Sequence, residues 1–279
     1  MSLAELRKSY HEQLCRYIIR IQDGCVNFAD KGNKASQQIA LAILKQINYS
    51  GELGQLAGQT AGGLFEKITL DYLKEAFEKL KHIRPGDWEY KIGVSISEFD
   101  QYKHLAHLQE LIEKHKELSI VFKNEYIIKP DIVVARIPLS EEKINEKEVL
   151  VQNVDNIAKY TPLRAANQES YLLHASISCK WTLRSDRSQN ARSEALNLIR
   201  QRRGNLPHIV VVVAEPLPTR IASLALGTGD IDCVYHFALI ELQQAVNETG
   251  NDDQAEMLST LINGRRLRDI SDLPFDLAI

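Results

Sequence analysis

The stretch His174-Ala-Ser-Ile-Ser-Cys-Lys180-Trp-Thr-Leu-Arg184-Ser-Asp186-Arg187-Ser-Gln-Asn-Ala-Arg192-Ser-Glu194, continuing Ala195-Leu-Asn-Leu-Ile-Arg200-Gln-Arg202-Arg203, decides how the chain reads. It predicts a buried strand from Tyr171 to Cys179 that delivers Lys180. A polar hairpin of charges follows, then a helix from about Gln189 to Arg202 that carries Glu194 about one turn in and turns Ala191, Ala195, Leu198 and Ile199 inward. From Lys180 to Arg203, seven Lys or Arg stand against two acids, a local charge of +5 in a chain of formal net charge −3. Positive charge is therefore concentrated here and the remainder is acidic, which calls for an anionic partner.

Working outward, Pro207-His208-Ile-Val-Val-Val-Val213-Ala-Glu215-Pro216 is the most β-prone run in the chain. A run so uniformly apolar suits a central strand covered on both faces. Upstream, Pro130-Asp131 heads the Ile-Val-Val run that Pro138 closes, and Trp88 to Ile96 alternates as a strand. Helices are expected over Leu3–Gln22, over a second segment capped by Ser36, over a third carrying Leu64, Phe65, Ile68, Tyr72, Leu73, Phe77 and Leu80, and over about Phe99–Leu118. Two more are expected at Asp230 to about Asn247 and Asp252–Ile262. Five glycines between Tyr49 and Gly63 indicate an irregular connection. Residues 139 to 170, polar and weakly periodic, predict loops with at most a short helix. The order describes one α/β domain over residues 1–279, a central mixed sheet flanked by helices.

The bulk properties narrow the field. Four cysteines lie far apart without a C-x-x-C pair, so neither a zinc site nor a disulfide framework is indicated, and a reduced cytoplasmic protein is expected. No apolar run reaches the roughly 18 residues of a membrane span. A G-x-x-x-x-G-K-[ST] loop is missing, which counts against nucleotide hydrolysis. A sequence pI near 6.3 argues mildly against nucleic acid, but only the surface facing phosphates must be positive.

Phosphodiester hydrolysis needs a divalent metal held by carboxylates, an activated water and a cation near the phosphate. Asp131 at one strand and Lys180 at the next could supply these, with Glu194 folding back as a second carboxylate. A strand-borne Pro-Asp followed by a strand-borne Lys is the signature of PD-(D/E)xK nucleases, although Ser178 occupies the place of the second acid. Spacing alone leaves this open, because Pro-Asp and isolated lysines are common.

Longer runs carry more weight. Leu56-Ala-Gly-Gln-Thr60, Phe77-Glu-Lys-Leu-Lys-His-Ile-Arg-Pro-Gly-Asp-Trp88, Leu173-His-Ala-Ser-Ile-Ser-Cys-Lys-Trp181, Arg184-Ser-Asp-Arg187, Gln189-Asn-Ala-Arg-Ser-Glu194, Leu206-Pro-His-Ile-Val-Val211 and Asp269-Ile-Ser-Asp-Leu-Pro274 resemble the NgoMIV-like type II restriction endonucleases, which cut around a CCGG core. The resemblance implies a restriction-endonuclease-like fold and a Mg²⁺-dependent enzyme acting on double-stranded DNA. It makes Asp131 the central metal-binding carboxylate and Lys180 the catalytic lysine. Glu194 matches an acid that has moved onto the helix from the place Ser178 now fills. Glu66 matches a further active-site acid for a second Mg²⁺, and the Cys179 carbonyl completes the first metal's shell; such hard oxygen ligands suit Mg²⁺.

Arg184, Ser185, Asp186 and Arg187 match the reader of the CCGG core. The chemistry agrees: arginine forks donate to guanine O6 and N7, while an aspartate accepts from cytosine N4. Gln59 and Arg220 match positions at the outer base pair, which would extend the site to GCCGGC, cut to leave 5′ overhangs. A palindrome implies a homodimer, and the resemblance implies two dimers joined into a homotetramer. Residues 95 to 125 and 139 to 170 depart most from the pattern.

Blander readings stand beside these. Asp131 after proline suits a turn, Lys180 beside Trp181 could snorkel at a strand end, and Arg200, Arg202 and Arg203 complement a helix C-terminus. His174 reads as a core histidine. Competing functions are a sequence-specific DNA-binding protein that has lost cleavage, and an α/β enzyme acting on a small phosphorylated substrate.

Overall fold

The computed structural model describes all residues except 50–53, 115–116, 118–127, 153–155 and 228, and describes 113 and 185–187 by their backbone alone, so the side chains of the expected readers Ser185, Asp186 and Arg187 lie outside the described set. Six strands form a mixed sheet in the order β3 (Trp88–Ile92), β4 (Ile132–Arg136), β5 (Leu172–Lys180), β6 (His208–Val213), β7 (Cys233–His236) and β8 (Leu267–Asp269). β3 and β4 are antiparallel, with Ile92 opposite Ile132, whereas β6, β7 and β8 run parallel. Ile132–Ala135, Ala175–Cys179, Ile209–Val213 and Cys233–His236 are buried without interruption, the pattern of strands covered on both faces. Helices flank this sheet, the mixed α/β arrangement that the sequence predicts.

The chain divides into two compact units. The first comprises Met1–Arg84, Ile177–Leu196 and Ile209–Ile279. It begins with α1 (Leu3–Tyr17), whose start is fixed reciprocally: the Glu5 amide donates to Ser2 Oγ and the Ser2 amide to Glu5 Oε2. The helix stops before the expected Gln22. Asp23 and Gly24, at φ 52° and 75°, form a two-residue turn that pairs β1 (Ile21–Gln22) with β2 (Cys25–Val26). The cap of α2 (Lys34–Gln46) is Asn33, which accepts from the Ser36 amide, and not Ser36, whose buried hydroxyl accepts from Asp30 N–H.

α3 (Gly58–Lys79) starts inside the glycine-rich segment, so the irregular connection is shorter than expected. Three glycines in a helix start cost about 1 kcal/mol each. Burial of Phe65, Ile68, Tyr72, Leu73 and Phe77 offsets that cost, and α3 packs on α1, where Tyr10 meets the Tyr72 ring at 5.1 Å and Thr69 Oγ1 at 3.1 Å.

The expected helix from Asp230 is half strand. The short run Cys233-Val-Tyr-His236 is β7, entirely buried against β6, and helix resumes only as α8 (Leu239–Thr249). Between β6 and β7 an unexpected helix, α7, spans Pro218–Ala225. α9 (Asp252–Asn263) matches its expectation within a residue, and α10 (Leu273–Asp276) closes the chain. α2 packs on α8, and α7 on α9.

The second unit comprises Pro85–Ser176 and Asn197–His208. After β3, two 3₁₀ turns lead into α4 (His104–Lys114); the expected end of that helix at Leu118 lies outside the described residues. Between β4 and β5 the polar segment contains, among the described residues, one turn of helix, α5 (Glu141–Ile144), held by a two-pronged Arg164–Glu141 pair at 2.9 Å per bond. Buried Gln101 donates to the Leu173 carbonyl at 2.7 Å and accepts from its amide at 2.9 Å, acting as an extra strand partner for the entry to β5. His174 is a packed ring as expected, between Trp88 at 4.7 Å and His208 at 5.0 Å.

One interaction ties the first unit's ends together. Arg7 of α1 forks onto Asp269 at the end of β8 and Glu241 in α8, with four bonds of 2.6–2.8 Å, all three side chains largely buried. Its removal strands two buried carboxylates, so Arg7→Ala should lower unfolding free energy by about 3–5 kcal/mol. Urea denaturation checks this, and a loss below about 1 kcal/mol would contradict the burial argument.

Candidate active site and base-reading surface

Lys180 is the last residue of β5 and half-buried; its carbonyl accepts from Ala214 N–H at 3.1 Å, which locks the strand end against the end of β6. The next residue, Trp181, is 4% exposed and belongs to an aromatic cluster. Its ring meets Phe65 of α3 at 5.2 Å, Phe28 at 5.6 Å and Phe237 at 6.4 Å. Phe65 immediately precedes Glu66, so this packing brings the helix bearing Glu66 to the strand end bearing Lys180. Glu66 lies more than two turns into α3 and is half-buried.

The helix after β5, α6, spans Ser185–Gln201. The expected hairpin does not form: Ser188 N–H donates to the Arg184 carbonyl at 3.0 Å, so helix begins as soon as Arg184 is passed. Three polar residues, Ser185, Asp186 and Arg187, form its first turn by position, and such residues are at home at a helix start. Glu194, nine residues past Ser185, is therefore about two and a half turns in, half-buried. At the far end the Arg202 guanidinium donates to the Ile199 carbonyl, the helix-terminal role expected of it.

Asp131 stands in the second unit, one residue before β4, half-buried, with its carbonyl 3.4 Å from Gly93 N–H. Lys180, Glu194 and Glu66 stand in the first. Among the described residues no three His, Cys, Asp or Glu converge closely enough to hold a metal ion. Mg²⁺ asks for less than that, since it keeps much of its water and is held by one or two carboxylates together with substrate phosphate. The carboxylates of Asp131 and Glu66 and the Cys179 carbonyl are each, taken singly, oxygen donors of the kind such an ion takes.

A cleft of about 290 Å³ opens beside the strand end, lined by residues that include Asp30, Leu56, Leu183, Arg184, Glu215 and Arg220. It brings two expected base readers, Arg184 and Arg220, to one place. Gln59 is exposed in the first turn of α3, three residues beyond Leu56. Arg184 is exposed at the positive end of α6, where a cation is disfavoured unless an anion approaches. Arg220 pairs with Asp30 and lies 3.9 Å from Glu215; the Arg220 bond and the Gly32 amide hold the Asp30 carboxyl below the ordinary carboxylate range.

Glu215 was not predicted from sequence. It is 1% exposed, and burial, opposed by Arg220, pushes its carboxyl up to about 7. The available signal was an acid two residues past the Ile-Val-Val-Val-Val run, between Ala214 and Pro216. Its carbonyl faces His236, fully buried, whose Nδ1 accepts from Ala238 N–H at 3.1 Å. Nε2 therefore carries the proton and donates to the Glu215 carbonyl at 3.2 Å.

A family model for the NgoMIV restriction enzyme matches residues 10–279. The chain belongs to the NgoMIV restriction enzyme family. The type II restriction enzyme NgoMIV of Neisseria gonorrhoeae is 48% identical over 280 residues, covering 98% of this chain and 97% of that relative. Membership makes the chain a type II site-specific deoxyribonuclease, an enzyme class that acts on double-stranded DNA with a divalent metal ion. Among the described residues no helix is long and apolar enough to cross a membrane. No disulfide joins the four cysteines, all of which are described.

Burial drives the His236 pKa down to about 4. Because the unfolded ring protonates near 6.5, the stability this contributes is complete above that pH and is lost as pH falls towards 4, by about 1.4 kcal/mol per unit. Ring ¹⁵N shifts at pH 5.5 should show a neutral Nε2–H imidazole; a protonated ring at that pH would contradict the assignment.

Proposed function

We propose that this protein is a Mg²⁺-dependent restriction endonuclease that cuts both strands of the palindrome GCCGGC around its CCGG core, leaving 5′ overhangs. The observation that carries this reading is the cleft at the end of β5, where Arg184 and Arg220 gather beside the strand that delivers Lys180. Asp131, Glu66 and the Cys179 carbonyl would hold the metal, and Glu194 would supply the acid that Ser178 lacks. A bound divalent cation supplies charge neutralisation at the phosphate and an acidified water. Lys180 places its ammonium at the scissile phosphate and stabilises the charge that develops there.

Arg184 and Arg187 donate to guanine edges of the core, Asp186 accepts from cytosine N4, and Ser185 sits among them on the first turn of α6. Gln59 and Arg220 touch the outer pair. The Asp30–Arg220 pair supports that role, because a guanidinium held at a cleft wall by a half-exposed carboxylate can be redirected at low cost. The palindrome is met by a homodimer, and two dimers join as a homotetramer. The alternative is a DNA-binding protein that no longer cuts.

Incubation with plasmid DNA and Mg²⁺ should yield discrete fragments from the intact protein and none from Asp131→Ala or Lys180→Ala, while both variants retain specific binding in Ca²⁺. No fragments from the intact protein would favour the non-cutting alternative; loss of specific binding by Lys180→Ala would make that lysine structural. Arg187→Ala should cost about 1–3 kcal/mol of discrimination at one guanine of the core, and an unchanged base preference in competition binding would remove it from the reader.

A further inference from the structure

Two segments lead into the proposed base readers. Leu183 precedes Arg184 and α6; Leu217 is the N-cap of α7, three residues before Arg220. The N-cap of α7 has no side-chain acceptor of its own, since it is leucine followed by Pro218 at the first helical position. Both backbones instead donate to one buried carboxylate. Leu183 N–H reaches Glu215 Oε2 at 3.3 Å, and Leu217 N–H reaches Glu215 Oε1 at 3.2 Å. Arg220 itself approaches Oε2 at 3.9 Å.

We infer that Glu215 is a positioning residue for DNA specificity, a clamp whose two oxygens hold the core-reading segment at Leu183 and the outer-pair segment at Leu217 in one register. The inference rests on the proposed reading of Arg184 to Arg187 and Arg220 as base contacts. It follows from the geometry: the two segments are 34 residues apart in sequence and share an acceptor that is 1% exposed. A buried carboxylate is costly to retain, and an apolar residue would fill the same space without that cost. What the carboxylate adds is a pair of acceptors facing opposite ways. Its carbonyl is anchored in turn by His236 Nε2–H at 3.2 Å, and Ala214 N–H holds the neighbouring residue to the Lys180 carbonyl at 3.1 Å. The clamp is thereby referenced to the strand end that carries the catalytic lysine. Because burial raises its carboxyl to about 7, the ionised form is best compared above that pH.

Glu215→Gln preserves size but leaves one acceptor oxygen for two backbone N–H groups, so the two segments lose the shared register on which both sets of base contacts depend. The test is fluorescence-anisotropy binding at pH 8.5, fixed salt and Ca²⁺, with three duplexes: GCCGGC, the same site changed at the outer pair, and the same site changed at one core pair. Wild-type protein should prefer the first. In Glu215→Gln both preference ratios should fall about tenfold, the worth of one buried hydrogen-bond partner, while affinity for a duplex lacking the site is unchanged. A merely structural loss would reduce the active fraction equally for every duplex and leave the ratios intact. Unchanged ratios, or a fall at only one position, overturn the clamp. If Glu215→Gln does not fold, Glu215→Asp, which retains the charge but is too short to span both amides, is measured in the same way. Wild-type protein without a preference for GCCGGC overturns the functional reading, and this inference with it.

Discussion

The burial of Trp181 is the constraint on which the first unit's site depends. Its ring is the next group after Lys180, so wherever the indole packs, the lysine's strand end is fixed to within a residue. Phe28 follows the β1–β2 hairpin, Phe65 belongs to α3 and Phe237 follows β7; all three meet the indole within 5.2–6.4 Å. Each contact recruits a different segment. Phe28 brings Asp30 and the cleft wall, Phe65 brings Glu66, and Phe237 brings the turn whose neighbour His236 holds Glu215. Edge-on aromatic packing is well suited to this, because it adds about 0.5–1.5 kcal/mol per pair to the area buried and constrains orientation as well as distance.

The same economy explains why the buried polar groups concentrate where they do. Arg7, Asp269 and Glu241 satisfy one another at the junction of α1, β8 and α8, and Ser271 adds two bonds to Asp269. Desolvation would raise the Asp269 carboxyl, but the Arg7 fork outweighs it and the net direction is downward. At Glu215 the balance falls the other way: two amide donors and a cation at 3.9 Å do not offset burial. One carboxylate is fully paired and serves the fold. The other is underpaired and lies at the cleft.

Uniform apolar runs made the inner strands legible. Ile132-Val-Val-Ala and His208-Ile-Val-Val-Val-Val213 admit no alternation because both faces are covered, and the sheet has them where the pattern pointed. β7 and β8 were not legible. Four and three residues are too few to show a period, and Cys233 to His236 borders a true helix whose spacing extends across it. At α6 the error ran the other way: a cluster of charges reads as a turn, yet polar residues are also what a helix start prefers, and only the Ser188–Arg184 backbone bond separates the two. Gly58, Gly62 and Gly63 misled for the converse reason, since the buried stripe from Phe65 to Phe77 outweighs their propensity. Of the site, Lys180, Arg184 and Arg220 were named from residues and resemblance and do share a region. Glu215 was hidden because its partners are backbone amides, which no side-chain motif records.

The charge asymmetry that first marks the stretch from Lys180 to Arg203 acquires structure at this level. Arg202 donates to the Ile199 carbonyl, so its cation is directed at the negative end of the helix. Arg220 is half-neutralised by Asp30. Arg184 is exposed at the positive pole of a seventeen-residue helix, and its charge and the helix dipole repel. An approaching phosphate or guanine edge relieves that repulsion and makes new bonds at once. The Asp30 carboxylate in the same cleft offsets part of that repulsion in the free protein, and an electron-rich partner entering the cleft would offset more of it.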